Sequence, residues 1–284
     1  MPYENVTRLT VPGSGLRMVA DAVGAMHAPS LLFLHGSGQT RQSWGTALEQ
    51  AAKRGYRAIS LDLRGHGDSD WAPDGNYTLD RFTADIRQAI EHMGSKPIVV
   101  GASLGGIIGM LIAATPQPPI RGLVLVDITP RVDESGAKEV SAFMDSAPKG
   151  FASVEEAADA VAAYLPHRQR PKDTSGLKRN LRLRDGRYYW HWDPAMLQMG
   201  RNAKFDGPNP LEAAARAVKI PTMLIRGSRS RIVSEAGVRE FLELVPHAEF
   251  VDITGAHHMV AGDANDAFND AVFAFVDKQT PLVS

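Results

Sequence analysis

Residues 97–106, Pro97-Ile98-Val99-Val100-Gly101-Ala102-Ser103-Leu104-Gly105-Gly106, decide the fold. The apolar, β-branched run before Gly101 reads as a buried strand, and the apolar stretch from Leu104 to Ala114 reads as a buried helix. Between them the chain fits Gly-x-Ser-x-Gly. Small residues two before and two after a serine permit a tight strand-to-helix turn with a strained central residue, which lifts Ser103 Oγ into a cleft. The amide of Leu104, at the start of the helix, then points to where negative charge would develop on an attacked carbonyl.

Working outward, short apolar runs recur at Leu31–Leu34, Arg57–Leu61, Ile98–Gly101, Leu123–Val126, Thr222–Ile225 and Phe250–Ile253. Helical spacing occupies the intervals Trp44–Arg54, Leu79–Met93, Leu104–Ala114, Glu235–Val245 and Ala264–Val276. Such alternation predicts an α/β fold, a mostly parallel, doubly wound central sheet with helices on both faces. From Pro130 to about Ala217 no buried strand is evident, while Val154–Tyr164 and Leu211–Val218 have helical character. A helical lid is therefore expected over residues 129–217, inserted into a core domain formed by 1–128 and 218–284. Such an insertion sits above the carboxyl ends of the strands, where open sheets bind ligands.

With 284 residues, 44% of them hydrophobic and 22% charged, the chain has enough apolar material for a large core, which excludes extensive disorder. Thirty-one basic residues against 32 acidic ones leave a formal net charge of -1, so no global field draws the protein to nucleic acid or a membrane surface. Neither is expected as a partner. The absence of cysteine rules out disulfides, thiolate metal sites and a cysteine nucleophile. Met1-Pro2-Tyr3-Glu4-Asn5 lacks the basic flank and apolar stretch of a signal peptide, and the apolar segment Ile107–Ala114 is far shorter than the roughly 20 residues that span a bilayer. A cytoplasmic monomer or homodimer is expected.

Upstream, the strand Leu31–Leu34 runs into His35-Gly36-Ser37-Gly38. A glycine-rich turn after a buried strand can supply a second oxyanion amide, from Ser37 with Gly38 as the neighbouring alternative, and Gly38 is also a candidate substrate contact. His35, so close to a buried strand end, reads as a structural hydrogen-bonding group. No dinucleotide or Walker-type glycine motif is present, so no cofactor is expected. The adjacent pair His257-His258 has no spaced ligand set around it, so no metal site is expected either.

His35-Gly36, then Asp62-Leu63-Arg64-Gly65-His66-Gly67-Asp68-Ser69, then Gly101-Ala102-Ser103-Leu104-Gly105-Gly106, resemble the α/β-hydrolase superfamily over nearly the whole chain. The resemblance places the lid after Leu123–Val126 and makes Ser103 a nucleophile, which sets the chain apart from relatives that use aspartate. It also places a general base in Thr254-Gly255-Ala256-His257-His258, where family members commonly read Gly-Ala-Gly-His; His258 aligns with the base. Imidazole suits that task because its ordinary pKa lies near neutrality. Where the family usually presents an acid, in a loop of the form Arg-Gly-x-x-Ser-Asp, this chain reads Arg226-Gly227-Ser228-Arg229-Ser230-Arg231. A guanidinium cannot accept an imidazole N–H. Asp127, at the end of the preceding strand, is the preferred substitute because it preserves the order Ser, Asp, His; Glu235 and a bare Ser103–His258 dyad remain the alternatives.

The segment Pro166–Trp192 carries Arg168, Arg170, Lys172, Lys178, Arg179, Arg182, Arg184 and Arg187 against Asp173 and Asp185. A solvated face pairing with acids elsewhere is preferred to an anion-binding surface. Tyr188-Tyr189-Trp190-His191-Trp192 concentrates aromatic surface, and Trp190 and Trp192, with Trp44, are candidate pocket walls. The resemblance implies a serine hydrolase acting on a small-molecule carboxylic ester or lactone. Rivals on the same fold are a carbon-carbon bond hydrolase and a cofactor-free haloperoxidase or perhydrolase. The missing acid at Arg231 also admits a hydrolase fold converted to ligand binding.

Overall fold

The computed structural model describes residues 6–197 and 209–280. Met1–Asn5, on which the leader reading rests, and 198–208 of the expected insertion lie outside the described residues. The centre of the molecule is β5, Ile98–Ala102, paired in parallel with β3, Ser30–Leu34, on one side and β6, Gly122–Val126, on the other. Around them stand β1 (Thr7–Gly13), β2 (Leu16–Val23), β4 (Arg57–Leu61), β9 (Thr222–Gly227) and β10 (Glu249–Ile253), giving the order β1-β2-β4-β3-β5-β6-β9-β10. β1 and β2 form an antiparallel hairpin, β2 joins β4 antiparallel, and every other pairing is parallel.

Alternate residues of the central strands enter opposite layers, as the two-residue period of a strand requires. Leu32, Leu34 and Val99 pack with α2 (Leu79–Met93) and α3 (Leu104–Ala113), whereas Leu31, Phe33, Ile98 and Val100 pack with α1 (Gly45–Lys53) and a C-terminal helix, Asn265–Gln279. Both faces of the sheet are therefore covered, which is why its strands read as unbroken apolar runs. No helix among the described residues is long and apolar enough to cross a membrane.

The chain between β6 and β9 carries α4 (Glu134–Met144), α5 (Val154–Tyr164), a hairpin of β7 (Leu181–Arg184) and β8 (Arg187–Trp190), and α6 (Pro210–Ala217). Two features differ from the sequence expectation. The hairpin interrupts a segment expected to be helical, turning at Asp185 and Gly186, whose φ values of 48° and 74° suit the Asp-Gly pair. In addition, α6 packs on α3 and on α7 (Glu235–Leu244), in the layer beneath the sheet rather than with α4 and α5.

Candidate active site

Ser103 sits between β5 and α3 with φ 47° and ψ -114°, a conformation unfavourable for any residue with a Cβ. The surrounding chain fixes it: its N–H donates to the Val126 carbonyl at 3.2 Å and its own carbonyl accepts from Ile107 N–H at 3.0 Å. Close packing of the turn demands Gly105, because a Cβ there would strike the Leu34 carbonyl at the end of β3. The Ser103 hydroxyl has no hydrogen-bond partner among the described residues. Leu104 heads α3, so its N–H has no intrahelical acceptor.

The turn after β3 faces Ser103, with Gly36 packed near the serine side chain. Gly36 N–H donates to Gln39 Oε1 at 3.0 Å and Gly38 N–H donates to His66 Nε2 at 3.2 Å. The Ser37 N–H is left without an acceptor among the described residues. Thus the amides of Ser37 and Leu104 carry no acceptor among the described residues, while that of Gly38 is engaged. His35 is fully buried, donates from Nδ1 to the Gly36 carbonyl at 2.8 Å and accepts from Leu63 N–H at 3.0 Å. Burial, helped by Arg41 and opposed by the Gly36 hydrogen bond, lowers its pKa to about 4.

Asp127 directly follows β6 and is fully buried, at φ 50°. Its Oδ1 accepts from Gly227 N–H at 3.2 Å, and its Oδ2 accepts from Ser230 Oγ at 2.5 Å and from His258 Nδ1 at 2.7 Å. His258 lies in the loop between β10 and the short helix α8, Val260–Asp263, with its Nε2 unbonded among the described residues. Of the sequence alternatives, Glu235 lies exposed in the first turn of α7 and makes no contact with His258. Arg231 is exposed and ion-paired with Glu139 at 2.8 Å. Ser230, one residue before it, is the loop's link to Asp127, and its Oγ also accepts from the N–H groups of Ile232 and Val233.

Ser103 and His258 line one cavity of about 260 Å³ together with Ser37, Gly38, Trp190 and Trp192. Its far wall comes from the segment between β6 and β9, through Phe143 of α4, Tyr164 of α5, and Leu177 and Asn180 before β7. Phe143 stacks on Tyr164 at 4.2 Å, and Trp190 stacks on Trp192 at 5.0 Å and 14°. Phe143, Tyr164, Leu177 and Asn180 escaped the sequence analysis because single residues drawn from separate elements carry no common spacing that marks a pocket. Trp44 requires a correction: it is not a pocket wall. It is buried between Phe33 and Phe268, at ring distances of 5.4 and 5.8 Å, because it precedes α1 on the opposite side of the turn from the cavity-lining Thr40 and Ser43.

Part of the basic run is held within the molecule, three of its eight cations by carboxylates among the described residues: Arg168, Arg170 and Arg182. Arg170 pairs with Asp159 at 2.7 Å, Arg182 bonds the Gly67 carbonyl and Asp68, and Arg187 donates to the Lys149 and Gly150 carbonyls. Arg184 lies over the Trp71 and Tyr189 rings. Only Arg168 reaches the cavity, and it is bound to Asp263. Among the described residues no group of three or more His, Cys, Asp or Glu is disposed to hold a metal ion.

Residues 29–264 match the family model described as the alpha/beta hydrolase fold. Esterase Rv0045c of Mycobacterium tuberculosis is 28% identical over 92% of this chain and 88% of its own length. A 2-(acetamidomethylene)succinate hydrolase of Mesorhizobium japonicum is 28% identical over 88% of each chain. The crystal structure of an E-2-(acetamidomethylene)succinate hydrolase superposes with a TM-score of 0.85 at 24% identity, covering 96% of this chain and 100% of that one. By sheet order, by the turn that carries Ser103 and by this match over most of its length, the chain belongs to the α/β-hydrolase fold family, among relatives named as esterases and hydrolases.

Proposed function

We propose that the chain hydrolyses a small carboxylic ester or lactone through Ser103, His258 and Asp127, with the segment between β6 and β9 acting as a cap over the serine. Ser103 Oγ adds to the carbonyl carbon as its proton passes to His258 Nε2, and the oxyanion accepts hydrogen bonds from the Ser37 and Leu104 amides. Collapse of this intermediate breaks the bond to the alkoxy oxygen, which takes the proton from His258. Water then adds to the acyl-enzyme by the same route, releasing the acid and restoring the serine. Asp127 holds the imidazole with Nδ1 protonated and Nε2 free, and its charge stabilises the imidazolium that forms.

The observation that carries this reading is the 2.7 Å hydrogen bond between His258 Nδ1 and the buried carboxylate of Asp127. It supplies the acid that Arg231 cannot, and so removes the motive for a purely ligand-binding role. The test is the rate of labelling by a fluorophosphonate, with mass spectrometry to locate the adduct. Fast modification of Ser103, slowed at least about a hundredfold in His258→Ala, is expected, since general-base assistance contributes about 10² to 10⁴. Absence of labelling in folded protein whose cavity admits small ligands would overturn the proposal.

A further inference from the structure

Beyond the space over Ser103, the cavity continues into two recesses of different character. One, of about 310 Å³, is reached past Val161, Leu165 and Leu177 and is walled further on by Ala158, Ala162 and Pro171. Its arginines are compensated: Arg168 is bound to Asp263 and Arg170 to Asp159, each at 2.7 Å. The other, of about 190 Å³, is reached past His258 and Met259 and is lined by Arg229, Arg231, His167 and His257, with Glu139 as its only carboxylate among the described residues. Arg231 uses that carboxylate, while the exposed Arg229 guanidinium has no partner among the described residues.

Positive charge is therefore in excess on the His258 side. His257 registers it: partial burial lowers its pKa, and the stacked His167 ring at 3.7 Å, Arg229 and Arg168 act in the same direction against Asp263. The proton path decides which half of an ester meets which recess. His258 must deliver its proton to the departing oxygen, so the alcohol portion lies on its side and the acyl chain runs toward the apolar recess.

From these two facts we infer that the substrate's alcohol portion carries a carboxylate, drawn by the uncompensated Arg229 and shared with Arg231, whose guanidinium has further N–H donors beyond the one that meets Glu139, while its acyl portion is apolar. This rests on the Ser103–His258 reaction proposed above. It also gives a chemical role to Arg231 at the position where the family usually has an acid: a guanidinium lining the recess that His258 borders favours the approach of a negatively charged leaving group.

The test compares 4-butyryloxybenzoate with 4-butyryloxybenzamide, which share an acyl group and differ in the charge of the alcohol portion. The kcat/KM ratio is expected to favour the benzoate by about tenfold, the scale of two partly exposed guanidinium contacts. It should shrink as salt is raised and fall to about twofold or less in the double variant Arg229→Gln, Arg231→Gln. A ratio near one in the wild type, or one that survives in the double variant, overturns the inference. So does a tenfold preference for 4-nitrophenyl succinate over 4-nitrophenyl butyrate with none between benzoate and benzamide, which would move the carboxylate to the acyl side.

Should neither ester be turned over by folded protein, fluorophosphonate labelling of Ser103 decides the hydrolytic reading, and the recess is then read by binding alone. Calorimetry on Ser103→Ala is expected to show 4-hydroxybenzoate bound about tenfold more tightly than 4-hydroxybenzamide, with the advantage lost when both arginines become glutamine. Equal affinities overturn the inference independently of catalysis.

Discussion

Asp127 serves three partners with one carboxylate: Gly227 on Oδ1, and Ser230 and His258 on Oδ2. Asp127→Asn replaces one acceptor oxygen with a donor and so either turns its NH2 against the Gly227 N–H or presents it to Ser230 and His258 Nδ1, which would fix the wrong tautomer. Turnover of an ester is expected to fall by about 10³ to 10⁴, the scale set by a serine protease whose triad aspartate becomes asparagine. Steady-state kinetics on protein with unchanged circular dichroism checks it; near wild-type turnover would remove Asp127 from the mechanism. Ser103 and Asp127 could be singled out in the sequence because each directly follows a buried strand, and strand ends are recognisable where an apolar run stops. His258 needed the family resemblance to separate it from His257. Trp44 was misplaced because a large aromatic next to a helix start serves core packing and pocket lining equally well, and only the direction of its side chain decides.

At the level of elements, the parallel strands were readable because burial on both faces leaves no polar alternation to confuse them with loops. β1 and β2 were not recognised because the hairpin lies at the sheet edge, where exposed and buried residues interleave. α4 was missed for a related reason: only Gly136 and Met144 of its eleven residues are buried, so no apolar stripe marks it. Asp185-Gly186 was the available signal for the β7–β8 hairpin. The junction between β5 and α3 is the least tolerant element. Gly105→Ala would push a methyl group into the Leu34 carbonyl and is expected to cost about 1–3 kcal/mol, against about 1 kcal/mol for Gly186→Ala, which meets open space and bears only the strain of its positive φ. Urea denaturation of the two variants measures the difference, and equal costs would mean that the turn relaxes.

Across the whole molecule, three buried histidines tie the sheet to the segment between β6 and β9. His35 follows β3, His66 lies in the loop after β4, and His191 follows β8; their rings are 4.8 and 6.0 Å apart in succession. His66 Nε2 holds the Gly38 amide and His191 Nδ1 holds that of Gly67 at 2.8 Å. Burial lowers the pKa of His35 to about 4 and of His66 to about 3, with His35 adding to the effect on His66, and it pushes that of His191 well below the usual range. The unfolded chain takes up protons at all three below about pH 6.5, while the folded chain does not. Their stability contribution is therefore complete above that pH and is lost as the pH falls toward the folded values, at about 1.4 kcal/mol per pH unit for each histidine. Denaturant midpoints are expected to drop steeply between about pH 6.5 and 5, and less so in His66→Gln, which cannot titrate. A flat profile would show that the cluster is hydrated rather than sealed.

The stacked indoles of Trp190 and Trp192 lie on the cavity wall with their planes 14° apart, close enough for their electronic transitions to couple. The circular dichroism of that pair answers to any tilt imposed by an occupant. Trp44, enclosed by Phe33 and Phe268, is blind to the cavity and loses its environment only when the core melts. With the exposed Trp71 replaced by phenylalanine, the chain would carry two intrinsic optical probes, one for occupancy and one for unfolding, and a titration followed at both would separate a bound molecule from a loosened protein without any added label.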